Sequence, residues 1–164
     1  MRFRYIDSPI GKLLLAGRNE TLQIIGFPEG KGTIIPEENW DELDNCFVQV
    51  EDQLGEYFAG RRQVFALKLQ PTGTPFQLQV LAALQAIPFG ETRSYLDIAR
   101  SIGRPKAVRA VGAANGRNPL PIVIPCHRVI GTNGSLTGFG GGLAAKEYLL
   151  NLESAGFALT APRG

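Results

Sequence analysis

Cys126 and His127 are adjacent, and His127 is the only histidine in the chain. They lie in Pro121-Ile122-Val123-Ile124-Pro125-Cys126-His127-Arg128-Val129-Ile130-Gly131, where three β-branched residues and a proline lead up to the sulfur. A thiol attacks as thiolate, and free cysteine is mostly protonated at neutral pH, so it needs a base or a positive neighbour. An imidazole is such a base when a third group fixes its tautomer. The β-branched run predicts a short buried strand ending at Pro125, able to hold Cys126 rigidly at a pocket wall. Neighbours on an extended segment point apart, so His127 would reach the sulfur through a water. The same residues also fit a buried structural cysteine, the usual fate of a free thiol. The pair alone leaves both readings open.

The elements that must position this stretch fall into two parts around Gln70-Pro71-Thr72-Gly73, a linker. Before it, Phe3–Ile6, Lys12–Ala16 and Thr21–Phe27 read as a β-meander, separated by turn residues. Trp40 to Phe58 reads as a helix with Phe47, Val50, Leu54, Tyr57 and Phe58 on one stripe, and Val64–Leu69 as a strand. This half carries no polar constellation and is assigned no chemistry. After the linker, Thr74-Pro75-Phe76-Gln77 is a capping box with proline at the first helical position. That helix stops before Pro88. Ser94 caps a short helix ending at Gly103, and Pro105 opens another to about Asn115, the outline of a helix-turn-helix. In the second of these helices Ala107, Ala110, Val111 and Ala114 should face the core. Its opposite rows carry Lys106, Arg109, Gly112, Ala113 and Gly116, basic or nearly free of side chain, so a sugar-phosphate backbone can come close.

Charge follows the same division. Residues 1–72 hold 8 Lys/Arg and 11 Asp/Glu, a net −3, while residues 73–164 hold 9 and 4, a net +5. Arg100, Arg104, Lys106, Arg109, Arg117 and Arg128 follow one another with no acid between them, the footprint of a polyanion partner. No apolar run approaches the ~20 residues of a membrane span. Two distant cysteines argue against a disulfide framework and for a reducing compartment, cytoplasmic in a bacterial or archaeal host and nuclear in a eukaryotic one.

The segment I-P-C-H-R-V-I-G resembles the active-site signature of the O6-alkylguanine-DNA alkyltransferases, which take an alkyl group from damaged DNA onto a cysteine. The likeness extends through Phe89-Gly90-Glu91-Thr92, Ser94-Tyr95, Arg109-Ala110-Val111-Gly112, Asn118-Pro119, Gly141-Gly142-Leu143 and Lys146-Glu147, across roughly residues 74–155. Residues 1–70 match only in outline. The resemblance implies an α/β (α+β) fold: an RNase H-like scaffold over residues 1–72, then a winged-helix-like alkyltransferase domain over 73–164. It implies a relay from Cys126 through water to His127 and a glutamate, for which Glu147 is the candidate.

The resemblance further assigns Arg109 to the gap left by a flipped nucleotide, and Tyr95 to the adjacent phosphate and to protonation of the departing base. Asn118 would hold the loop around Cys126. Backbone groups at Cys126 and Val129 would read the guanine amine, and Asn115, Phe139 and Gly140 would complete the base pocket. Lys106, Ala107, Ala113, Arg128 and Thr132 would face DNA. The family often has tyrosine then serine where this chain has Phe139-Gly140, which affects pocket width. The expected partner is duplex DNA containing O6-alkylguanine, with O4-alkylthymine a second substrate. The expected molecule is a monomer, able to bind cooperatively along DNA, without cofactor or metal. The rival readings are an alkyltransferase-like damage sensor, which would lack the cysteine, a helix-turn-helix regulator with a structural cysteine, and a thiol hydrolase, for which no oxyanion hole is evident.

Overall fold

A computed structural model describes residues 1–160, with side chains as far as Ala155. β1 (Arg2–Ile6), β2 (Leu13–Arg18) and β3 (Thr21–Gly26) form the predicted antiparallel meander. The β2–β3 turn places Asn19 and Glu20 both at positive φ, the conformation a tight hairpin of matching twist requires. A fourth strand, β4 (Asp41–Glu42), joins parallel to β1, giving the order β3-β2-β1-β4.

Helix α1 (Val48–Phe58) starts at Val48, not at Trp40 as the sequence predicts. The residues ahead of it are drawn off to pair with β1, and Phe47 takes a left-handed conformation with φ 55°. Its backbone N–H donates to Glu20 Oε2 at 2.8 Å, so a carboxylate from the hairpin satisfies the helix entry. Val50, Leu54 and Tyr57 are buried along the predicted stripe. Residues 64–69 do not form the predicted strand. The Gln53 side chain takes both backbone groups of Ala66, at 3.1 and 2.9 Å, and only Leu69 bridges to Leu22.

The second part holds α2 (Pro75–Gln85), α3 (Tyr95–Ser101) and α4 (Val108–Gly116). The Thr74–Gln77 capping box is made, and Ser94 forms a second one with Asp97. Gly103, at φ 74°, turns the chain between α3 and α4, completing the helix-turn-helix. α4 begins at Val108, after the predicted Pro105, and Ala110 is exposed where the sequence places it inward. The buried stripe is Val111, Ala114 and Asn115, spaced i, i+3, i+4, and lies one step round the helix from the predicted one.

A short parallel pair, β5 (Arg93–Ser94) with β6 (Val129–Ile130), ties the start of α3 to the residues just after His127. α5 (Leu143–Thr160) closes the described chain. One apolar core runs through both parts, from Leu13, Leu15 and Leu54 to Val80, Leu84, Val111, Ile124 and Leu149. The thiol segment is threaded through its middle. No helix among the described residues is long and apolar enough to cross a membrane.

Candidate active site

Residues 121–124 form a turn, not the predicted strand, with Ile124 N–H on the Leu120 carbonyl at 2.8 Å. Ile122 sits at φ 74°, a left-handed conformation that a β-branched residue adopts only under strain of roughly 1–3 kcal/mol. Its full burial in the core holds it there. The chain then makes one 3₁₀ turn, Cys126–Arg128, so consecutive side chains fan around an axis instead of alternating. Asn118 pins the approach: its amide donates to the Ile124 carbonyl at 2.8 Å and accepts from Leu120 N–H at 3.0 Å. Ile25 N–H donates to the Pro119 carbonyl, which fastens this loop to the sheet.

Cys126 is 5% exposed and lines a cleft of about 400 Å³ between the two parts of the chain. The other walls come from Asn115, Asn118, Phe139 and Gly140 and, from the first part, Phe27 and Lys31. Phe139 packs edge-on against Phe27 with ring centres 5.1 Å apart, and Gly32 N–H donates to the Gly140 carbonyl at 2.9 Å. Burial pushes the Cys126 thiol up to about 11, against the pull of the Asn118 amide and the positive charge of Lys146. At neutral pH this thiol is protonated.

The residues after the thiol enter a buried polar chain. His127 Nε2 meets Glu153 Oε2 at 2.6 Å, with the imidazole fully buried. Glu153 also accepts from Arg128 through both oxygens, at 2.7 and 3.1 Å, and from the Tyr57 hydroxyl at 2.6 Å. Burial works to raise the Glu153 carboxyl, but bonds and charges from His127 and Arg128 outweigh it and hold the group at about 2. Burial also lowers His127, against the pull of Glu153. A neutral imidazole facing an ionised carboxylate carries its proton on Nε2, which leaves Nδ1 with a lone pair. Nδ1 is buried and has no hydrogen-bond partner in the protein.

Two expectations are corrected here. Glu147 is exposed on α5, and Glu153 occupies the place predicted for it. Leu149 fixes the inward face of the helix. Residue 153 is one turn onward from it, while residue 147 is about 200° round. Arg128 does not face outward. It is buried, bonded to Glu153 and to the Ile87 carbonyl at 2.7 Å, with Phe89 beneath its guanidinium.

Sequence reasoning also missed Lys146 and Tyr57. Lys146 is fully buried, with Nζ donating to the Val129 carbonyl at 2.7 Å and to that of Thr137 at 3.2 Å. Its spacing from Leu149 is the signal that could have found it. Tyr57 shows only as an apolar stripe residue, and nothing in the sequence joins it to Glu153.

The remaining predicted residues are placed as follows. Tyr95 is half-buried, with its hydroxyl 2.5 Å from Thr137 Oγ1; Asn115 is buried at the cleft wall, and Val129 is fully buried in the core and does not line the cleft. Lys106, Arg109 and Ala113 are exposed on or before α4, Ala107 is half-buried at its start, and Thr132 is exposed in the loop after β6. Among the described residues no group of three or more His, Cys, Asp or Glu side chains is placed to hold a metal ion.

A helix-turn-helix followed by a buried thiol and imidazole, with a carboxylate supplied by α5, defines a protein that carries a candidate nucleophile beside a motif typical of nucleic-acid readers. The 6-O-methylguanine DNA methyltransferase ribonuclease-like domain matches residues 1–71, and the DNA binding domain of the same family matches residues 75–155. A methylated-DNA–protein-cysteine methyltransferase of Methanosarcina acetivorans is 51% identical over 94% of this chain and 99% of its own length. One of Mycolicibacterium paratuberculosis is 51% identical over 93% and 92%. The crystal structure of Mycobacterium tuberculosis OGT in complex with DNA superposes with a TM-score of 0.90 at 47% identity, covering 95% of this chain and 94% of that one. The chain belongs to the O6-methylguanine-DNA methyltransferase family.

Proposed function

We propose that this protein repairs DNA directly, by moving the alkyl group from O6-alkylguanine in duplex DNA onto Cys126. The observation that carries the reading is a thiol, Cys126, at a cleft wall, followed directly by a buried His127 whose Nε2 is paired with Glu153 and whose Nδ1 has no partner in the protein. The target carbon lies inside the base stack, so the nucleotide must be flipped out, at a cost of a few kcal/mol. Arg109 enters the gap, and Lys106, Ala107, Ala113 and Thr132 line the DNA side of the motif. The cleft receives the base between Phe139, Gly140 and Asn115.

In the transfer step the sulfur forms a bond to the alkyl carbon while the bond from that carbon to O6 breaks. The thiol proton passes to His127 Nδ1, directly or through a water, and the electron pair moves onto the guanine. Ionised Glu153 stabilises the imidazolium that forms. Tyr95 supplies a proton to the departing base, and Asn118 steadies the sulfur. Arg128 acts from within, holding Glu153 charged. The product is a thioether with no carbonyl for water to attack, so each molecule reacts once. The first 72 residues serve as a scaffold, the molecule works as a monomer in the cytoplasm, and O4-alkylthymine is a second substrate.

Cys126→Ala tests the assignment. The variant should bind a duplex containing O6-methylguanine as the wild type does and remove no methyl group. Retained repair would overturn the nucleophile, and lost binding would make the thiol structural.

A further inference from the structure

Tyr57 lies in the last turn of α1, is 1% exposed, and sends its hydroxyl from the first part of the chain into the second, donating to Glu153 Oε2 at 2.6 Å. Packing aims it. The ring sits against Phe65, with centres 5.4 Å apart, and edge-on to Phe89 at 6.5 Å, and Phe89 also lies under the Arg128 guanidinium. Three donors converge on the one oxygen: His127 Nε2 at 2.6 Å, the Tyr57 hydroxyl at 2.6 Å and Arg128 Nη2 at 3.1 Å. A carboxylate oxygen has two lone pairs, so the phenol and the imidazole draw on the same charge. Burial, then the Glu153 charge beside it, push the phenol far up, so it stays a neutral donor. Phenylalanine would serve packing alone; the hydroxyl is what reaches the carboxylate.

We propose that Tyr57 is a positioning residue of the transfer reaction, whose hydroxyl draws charge from Glu153 and so sets how strongly Glu153 holds the proton of His127. This role rests on the repair reading above and deepens it, since it makes the first part of the chain a contributor to the reaction and not a scaffold alone. Tyr57 touches no reacting atom and acts through Glu153. The imidazole accepts the thiol proton at Nδ1, and the better Glu153 stabilises the imidazolium, the stronger a base His127 is. Without the phenol that oxygen has more charge to offer Nε2–H, so His127 becomes more basic. Among the described residues, the other charged or titratable groups around the pair are Cys126 and Arg128 on the same turn and Lys146 and Tyr148 on α5. A change at Tyr57 leaves all of them in place.

His127 is the only histidine in the chain, so NMR reads its ring N–H without ambiguity. In Tyr57→Phe the Nε2–H proton should move downfield, as a stronger bond to Glu153 requires. The acid limb of single-turnover transfer from a methylated duplex should move to higher pH by about half a unit, a threefold change in the protonation constant. 3-Fluorotyrosine at position 57, a slightly stronger donor of nearly the same shape, should move the proton upfield. Leu54→Ala, one turn earlier on the same buried stripe, should lower stability and move neither reading. An unmoved proton or limb in Tyr57→Phe, or a Leu54→Ala protein that shifts as far, would overturn the proposal. If Tyr57→Phe does not fold, the fluorinated protein decides, and an unmoved proton there overturns it. Wild-type protein that transfers no methyl group would instead defeat the repair reading, whatever the proton does.

Discussion

Glu153→Gln tests the buried relay, because the variant keeps the shape of the side chain and deletes its charge. Glu153 is 1% exposed and, among the described residues, is the carboxylate bonded to both His127 and Arg128. Without it the buried Arg128 guanidinium has no counter-charge, and breaking such a pair destabilises by about 3–5 kcal/mol. A second route gives the same scale. The carboxyl is held at about 2 against an ordinary 4.5, and that difference corresponds to roughly 3 kcal/mol of stability. The sign is that of a depressed acid: the contribution is full above about pH 5 and is lost as pH falls toward 2. Urea unfolding at pH 7 should therefore show a loss of about 3 kcal/mol, and the wild-type and variant curves should converge as pH falls toward 2. Methyl transfer, measured as a single turnover on duplex DNA, should slow by at least about a hundredfold, the usual scale for a general acid–base group. Glu147→Gln is the control and should change neither quantity. A loss below about 1 kcal/mol with transfer intact, or a Glu147 variant as damaged as the Glu153 one, would refute the relay.

Tyr57→Phe should cost about 1.5–3 kcal/mol in urea unfolding, because one of the donors to a buried carboxylate is removed; a loss under 0.5 would mean the hydroxyl bond carries little. Labelling of Cys126 by iodoacetamide, read by peptide mass, should rise steadily from pH 7 to 10, since burial keeps the thiol protonated until about 11. A plateau below pH 8 would show a thiolate already formed. Arg109→Ala should weaken transfer from duplex DNA by about tenfold or more while sparing transfer from free O6-methylguanine, because only the duplex has a stack to hold open. Equal losses on both would remove the residue from the stack.

Several elements governed by one local rule are placed by the sequence alone, although Pro105 does not open α4. The meander, the Thr74 and Ser94 caps and the Gly103 turn lie where turn and capping chemistry put them, because nothing distant competes at those sites. Most of the other misses involve a partner from far along the chain. Helix α1 starts late because the preceding residues pair with β1 and Glu20 takes the Phe47 N–H. Residues 64–69 lose their strand to one glutamine side chain. The thiol segment reads as a strand by its β-branched run, yet the core forces Ile122 into a left-handed turn.

At the site, Cys126, His127 and Asn118 could be found from residue types and resemblance. The sequence points to a glutamate six residues too early, because the motif's Lys146-Glu147 draws attention away from the register set by Leu149. Arg128 reads as a DNA contact in the sequence because a basic run looks the same whether its members face water or a buried acid. Tyr57 was out of reach, since its bond to Glu153 spans two parts of the chain that share no sequence signal.

The most direct measurement is the mass of the intact protein after incubation with a duplex containing one O6-methylguanine. The account predicts that each molecule gains a single methyl in place of a thiol hydrogen, that peptide mapping locates it on Cys126 and not on Cys46, and that no further turnover follows. An unchanged mass with the methylated base still in the DNA, or a methyl group on any other residue, would contradict it.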